Sequence, residues 1–284
     1  MIGPVEGIDH VILGTGDLEA ARAAWARLGF TISPRGRHKG WGTGNYCIML
    51  EKDYLELLGM VDPAGFDNGL AAMLAKQGDG LLGFALATQD ADAAAAWLAS
   101  RGRPHERKDL GRLLELPEGT VELKFALAMP KDAWPGGIRP FVTGHLMRDA
   151  VWRPEWTAHA NTACAIQSLT CVVDDPLSLV DAYERVFGLG TAVPTDDTLA
   201  VRWGRGAGLV LFAKPADFTF LHPAVGPDEP VRAGLAGMTL LVRSLDACAS
   251  ALKAGGVDFD RDRTAALHLP PEEAGGVALS FVEA

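Results

Sequence analysis

Hydrophobic and polar positions follow one pattern four times along the chain. A run rich in Val, Ile, Leu and Thr comes first, then a short polar break. Ala-rich sequence with apolar residues at helical spacing follows, and a Gly closes the copy. The copies are GIDHVILGTGDLEAARAAWARLGF (residues 7–30), LLGFALATQDADAAAAWLASRGR (81–103), AIQSLTCVVDDPLSLVDAYERVFGLG (165–190) and LAGMTLLVRSLDACASALKAGGV (235–257). The opening run of each has strand composition. Leu18, Ala21, Trp25 and Leu28 form the helical stripe of the first copy. Asp17, Asp90, Asp175 and Ser244 stand where a side-chain oxygen accepts from the open amides of a helix N-terminus. Gly29, Gly102, Gly188 and Gly255 stand where a helix ends on a positive φ.

Short strand-type segments follow each Gly: FTIS, NYCIML and DYLELLGM; RLLELP and TVELKFALAM; LAVRWG and GLVLFAKP; AALHLP and GVALSFVEA. The pattern therefore predicts an α+β fold of four βαβββ units, with two units to a domain. Units 7–60 and 81–129 give a first domain over 1–129, and the other two give a second over 164–284. Residues 130–163 break the pattern with four prolines, three tryptophans and two histidines. A bare linker is Gly/Ser-rich, so this segment reads as an ordered, Trp-rich connector packed on a domain face.

Composition changes this picture little. With 48% hydrophobic and 22% charged residues in 284, the chain is an ordinary globular one that folds without disulfides. Net charge is −10, of which residues 161–284 carry −7 and the first 160 carry −3. Neither half resembles a phosphate-binding surface, so nucleic acid is an unexpected partner. The four cysteines are scattered, without CxxC spacing, and read as free thiols. MIGPVEGIDH has no signal-peptide character and no long apolar run exists, so a cytoplasmic protein off the membrane is expected.

Candidate chemistry lies mainly in the first half. His10 alternates with Ile8 and Ile12 in the first strand, and Glu56 lies between Tyr54 and Leu58 on the face of a later strand. Burying an ionisable group on an apolar face is costly unless it is paired or metal-bound. Glu122 takes the place matching Glu56, because TVELK overlays YLELL, and Phe84 takes the place matching His10. Two readings follow. His10, Glu56 and Glu122 hold a divalent ion (Zn, Ni, Mn or Fe), or His10 pairs with Glu56 and Glu122 with Lys124. The matching places in the second half are Ser168, Met238, Leu211 and Ser280, so no metal is expected there. His105 and His222 read as solvated loop residues.

The segment RGRHKGWGTGN, residues 35–45, is Gly-rich and basic. It is either a ligand-contacting loop, through His38 and Asn45 with the nearby cations, or a solvated hairpin. The connector offers His145, Trp152, Trp156 and His159, either as a pocket lid with an acid/base group or as packing. No GxSxG, HExxH or strand-following GxGxxG occurs.

The βαβββ unit with His in its first strand and Glu in its last resembles the vicinal oxygen chelate superfamily. That superfamily includes glyoxalase I, extradiol dioxygenases, methylmalonyl-CoA epimerase and bleomycin-resistance proteins. GIDHVILGTGDLEAARAAWARLGF is close to its opening pattern, and RGRHKGWGTGN with YLELLG, RPFVTGHL and VWRPEWTAHAN is similar to glyoxalase-like domain proteins. The resemblance implies two glyoxalase-like domains with cupped mixed sheets, the second degenerate. It implies metal ligands His10, Glu56 and Glu122, with Phe84 in place of a usual fourth ligand. Glu56 and His145 become candidates for proton transfer, and His38, Asn45, Trp152 and His159 for substrate contact. The implied function is a metal-dependent lyase or isomerase acting on a small molecule. The alternatives are a metal-free binding protein and an extradiol-type dioxygenase, which needs two His and one carboxylate. A homodimer is compatible with either.

Overall fold

Each of the four repeats folds as a βαβββ unit in the computed structural model, which describes residues 3–204, 206 and 208–284. Unit one is β1 (Val5–Gly14), α1 (Leu18–Arg27), β2 (Gly36–His38), β3 (Thr43–Met49) and β4 (Tyr54–Met60). After α2 (Leu70–Gln77), unit two is β5 (Gly80–Thr88), α3 (Ala91–Ala99), β6 (His105–Leu116), β7 (Gly119–Pro130) and β8 (Phe141–His145). Two single turns, α4 (Arg148–Val151) and α5 (Pro154–Thr157), cross to the second half. Unit three is β9 (Ala163–Val172), α6 (Val180–Phe187), β10 (Ala192–Thr195), β11 (Thr198–Arg202) and β12 (Leu209–Ala213). After α7 (Pro215–Leu221), unit four is β13 (Gly234–Val242), α8 (Leu245–Ala254), β14 (Asp260–Arg261), β15 (Leu267–Leu269) and β16 (Ala278–Glu283).

The helix ends follow the local chemistry, with two exceptions. Asp17, Asp90 and Ser244 cap α1, α3 and α8 by accepting from amides two or three residues on. Asp175 instead accepts from the Ser178 amide, in a 3₁₀ turn that precedes α6. Gly29, Gly102 and Gly188 have φ of +89°, +74° and +106°. Gly255 departs from expectation: its φ is −80°, and Gly256 takes the positive φ. Gly255 answers to space instead. A Cβ there would fall 1.9 Å from the Arg27 carbonyl oxygen, where α8 meets α1 across the two halves.

The first sheet closes into a barrel in the order β1-β4-β3-β2-β6-β7-β8-β5, and the second is an open eight-stranded sheet, β10-β11-β12-β9-β13-β16-β15-β14. One expectation changes here. The stretch 130–163 is more than a connector, because it carries β8, which pairs with β5 and β7 and closes the first barrel. The last strand of unit two is therefore β8, while TVELKFALAM forms its third strand, β7.

The two units of the barrel are related by a two-fold arrangement that fixes which residues correspond. At the β1/β5 seam His10 pairs with Ala85, Val11 with Phe84 and Ile12 with Gly83. Exchanging the strands maps His10 onto Gly83, and Phe84 onto Val11. Phe84 thus faces the other way, into the core against Trp203. In the last strands, a Cβ on Gly59 would sit 3.3 Å from the Thr15 carbonyl, and one on Gly144 would sit 3.3 Å from that of Thr88. Thr15 and Thr88 in turn make the same turn ahead of α1 and α3, each hydroxyl donating to the carbonyl two residues on. Counting back from the two glycines, the counterpart of Glu56 is Phe141.

The halves are joined by apolar and polar clasps. Trp203 is fully buried among Phe84, Trp134, Tyr183 and Phe187, with ring centroids 5.0–5.4 Å away. Asn161, also fully buried, donates to the Leu28 carbonyl and accepts from the Ala163 amide. The Asp53 carboxyl, in the β3–β4 turn, accepts from the Ile166 amide of β9. Burial pushes Asp53 up to about 8 from 3.8, reinforced by Asp9 and Glu51 and only partly offset by the Ile166 amide and Arg148. The folded protein thus holds the Asp53 proton more tightly than the unfolded chain. The stability it gives is fully present below about pH 4 and is lost as pH rises to about 8, at roughly 1.4 kcal/mol per pH unit. Asp53→Asn keeps an acceptor for the Ile166 amide without the ionisation. Its stability relative to wild type, from denaturant unfolding, should rise steadily between pH 4 and 8. A constant difference across that window would contradict this assignment. Among the described residues, no helix is long and apolar enough to cross a membrane.

Candidate functional site

Four side chains singled out in the sequence meet inside the first barrel. His10 on β1, His38 on β2, Asn45 on β3 and Glu56 on β4 are buried or nearly so. His10 Nε2 lies 3.6 Å from Glu56 Oε2, and His38 Nε2 lies 3.8 Å from Glu56 Oε1. Asn45 Nδ2 donates to Glu56 Oε1. Each imidazole is held by its other nitrogen: His10 Nδ1 is 2.7 Å from Asp9 Oδ1, and His38 Nδ1 is 2.8 Å from Thr43 Oγ1. With Nδ1 turned to Asp9, His10 presents Nε2 to the Glu56 carboxylate. Tyr54 stacks on the His10 ring at 4.4 Å and Phe141 meets it edge-on at 5.5 Å.

Asp9 enters this site because of a β-bulge. Strand alternation puts neighbours on opposite faces, but the β1/β5 register slips between Ile8 and His10, leaving Asp9 as the extra residue. Its carboxylate accepts from His10 and also from His145 Nε2, at 3.0 Å. The His145 Nδ1 atom is buried with no hydrogen-bond partner among the described residues. Trp152 backs this pair. Its ring lies edge-on to His145 at 5.0 Å and to Tyr54 at 5.6 Å, and its Nε1–H donates to the Leu50 carbonyl.

The electrostatics follow from burial and pairing. Burial alone would raise Asp9, but hydrogen bonds from His10 and His145, with their charges, hold it well below the ordinary carboxylate range. Glu56 is likewise held low against its burial, by His10, His38, Arg112 and the Asn45 amide. Burial lowers His38, with Arg112 and His10 adding to it and Glu56 opposing. The site therefore keeps both carboxylates ionised at ordinary pH.

The remaining candidates lie elsewhere. Glu122 is not brought to His10 and Glu56. It alternates on β7 with the buried Leu123 and Phe125, so it points outward, and both its oxygens take the Lys39 ammonium, at 3.0 and 3.1 Å. The overlay of TVELK on YLELL matches a third strand to a fourth. Phe84 is not the counterpart of His10 either, since that place is held by Gly83. His159 accepts the Thr31 amide at Nδ1 and bonds the Met49 carbonyl through Nε2, which makes it a clasp with both nitrogens used. His222, expected in solvent, is buried over Gly237 and bonded to Thr170 and Ser280. Burial, with His268 alongside, pushes it down to about 3. Ser280 is also bonded to His268, which reaches Asp262. His105 is part-buried against the Arg103 carbonyl.

Among the described residues, no group of three His, Cys, Asp or Glu side chains stands in metal-holding geometry. The donor chemistry around Glu56 nonetheless fits a divalent ion. Two imidazoles, each anchored through its far nitrogen, present Nε2 to one ionised carboxylate, and the carboxylate–His10 pairing is a familiar outer-shell support for a metal ligand.

Among solved structures, a hypothetical protein from Staphylococcus aureus superposes with a TM-score of 0.66 at 13% identity, covering 98% of this chain and 99% of that one. A triple mutant of 4-hydroxymandelate synthase from Streptomyces coelicolor gives 0.64 at 15%, covering 99% and 93%. A xylose isomerase-like TIM barrel/4-hydroxyphenylpyruvate dioxygenase fusion protein gives 0.59 at 12%, and the chain spans 49% of its length. At these identities the likeness is one of fold. No curated protein matches the sequence. The family model described as a glyoxalase-like domain matches residues 8–187, more than half of the chain and all of the first barrel's paired strands from β1 to β8 apart from its first residues. The chain belongs to the glyoxalase-like domain family, within the vicinal oxygen chelate superfamily.

Proposed function

We propose that the first barrel is the metal-dependent centre of an enzyme acting on a small molecule by lyase- or isomerase-type proton transfer. His10, His38 and Glu56 are the residues that would hold the ion. The observation that carries this reading is the pair of anchored imidazoles on either side of one buried carboxylate. The chemistry a bound divalent ion supplies is polarisation of a substrate oxygen. Asp9 orients His10 and His145 together, and His145 Nδ1, which has no partner among the described residues, is the atom that takes or gives the substrate proton. Tyr54, Phe141 and Trp152 keep water away from these groups.

A second reading is an Fe(II) oxygenase, favoured by the donor set itself, two His and one carboxylate. The test is loading: chelator-stripped protein is offered Zn, Ni, Mn or Fe(II), and metal content is measured per chain. One ion per wild-type chain supports the reading. If none of the four is retained, the metal reading fails and a metal-free binding protein remains. His145→Ala should keep the ion yet slow proton exchange into a turned-over substrate by about 100-fold or more.

A further inference from the structure

Arg112 is buried inside the same barrel, only 3% exposed, alternating on β6 with Leu114 and Leu116. A guanidinium buried to this degree is costly without a hydrogen-bonded anion. Its Nη1 donates to the Cys47 sulfur at 3.1 Å, and its guanidinium lies over the Phe125 ring at 5.3 Å. Burial pushes the Cys47 thiol up, so at ordinary pH that contact supplies no negative charge. Glu56 acts on Arg112 through space, without a hydrogen bond between them among the described residues. Arg112 Nε is buried with no partner among those residues.

The neighbourhood has room for this side chain because Gly36 gives it. A Cβ on Gly36 would fall 3.1 Å from Arg112 Cδ and 2.1 Å from Asn45 Oδ1, so only Gly at that place lets both lie in the barrel. Across the barrel, the counterparts of His10 and Glu56 are not ligands. Gly83 leaves open space, with nothing among the described residues within 4 Å of where a Cβ would stand, and Phe141 offers a ring. Tyr54 and Phe125 are further apolar walls.

We propose that Arg112 is an anion-anchoring residue that binds the carboxylate of a substrate whose body is apolar and preferably aromatic. The unused guanidinium donors take the carboxylate oxygens, a geometry suited to the planar fork. The body lies toward Gly83 and Phe141. This proposal rests on the barrel interior being the ligand site, but not on a metal being held there.

The probes are benzoate and its neutral counterpart benzamide, titrated calorimetrically into wild type, Arg112→Gln and Arg112→Lys, with metal content measured on the same samples. Wild type should bind benzoate about tenfold or more tighter than benzamide. Arg112→Gln should abolish that preference, and Arg112→Lys should keep a reduced one, since the charge stays and the fork is lost. Should Arg112→Gln fail to fold, Arg112→Lys carries the test alone. Equal affinity for the two probes in wild type, no binding of benzoate, or a preference unchanged in both variants would overturn the proposal. A benzoate preference in protein that retains none of Zn, Ni, Mn or Fe(II) when offered them leaves this proposal standing while the metal reading fails.

Discussion

His38→Ala is expected to weaken retention of a divalent ion by about 100-fold or more, while Glu122→Ala leaves it unchanged. The two substitutions separate two placements of the third ligand. His38 Nε2 faces the same carboxylate as His10 Nε2, with its Nδ1 fixed by Thr43. Glu122 is outside the barrel and engaged with Lys39. Removing it costs only an exposed ion pair, worth little to stability. Competition against a chelator of known affinity reads both effects. If Glu122→Ala releases the ion and His38→Ala keeps it, the geometry assigned to the site is wrong.

Trp203→Ala should destabilise the protein by about 3–5 kcal/mol, the cost of removing a large aromatic side chain from a packed core. Trp203 touches rings from both halves: Phe84 on β5, Trp134 between β7 and β8, and Tyr183 and Phe187 on α6. The void would open at the junction that seats β5, the strand paired with β1 and hence with His10. Leu189→Ala, at a residue 90% exposed, is the control and should stay within about 0.5 kcal/mol. Denaturant unfolding measures both. A cost below about 1 kcal/mol for Trp203→Ala would show that the halves do not depend on this cluster.

Much of the architecture is legible in the sequence because it is written in local chemistry. Strand runs, helix stripes and the caps at Asp17, Asp90 and Ser244 recur with each unit and need no long-range information. β8 is hidden because five residues, Phe141–His145, lie between Pro140 and a turn in a Pro- and Trp-rich stretch, too short to show alternation. Without β8 the strand count of unit two shifts by one, and that shift turns Glu122 into a false counterpart of Glu56. In the site, His10 and Glu56 stand out as ionisable groups on apolar strand faces. Asp9 does not, since strict alternation sends it to the other face and only the bulge brings it back. Arg112 carries a usable signal: a cation in register with Leu114 and Leu116, in the apolar half of its strand. The convergence of His38 with Glu56 is hard to read from sequence because β2 has only three residues, too few to show alternation, and is held both by β3 of its own unit and by β6 of the other.

X-ray absorption fine structure at the metal edge, on protein loaded to one ion per chain, tests the central claim most directly. Two imidazole nitrogens at about 2.0–2.1 Å with carboxylate or water oxygen are expected, from His10, His38 and Glu56. In His38→Ala, one imidazole should be lost. A single imidazole in the wild-type protein, or a spectrum unaltered by His38→Ala, would contradict the account.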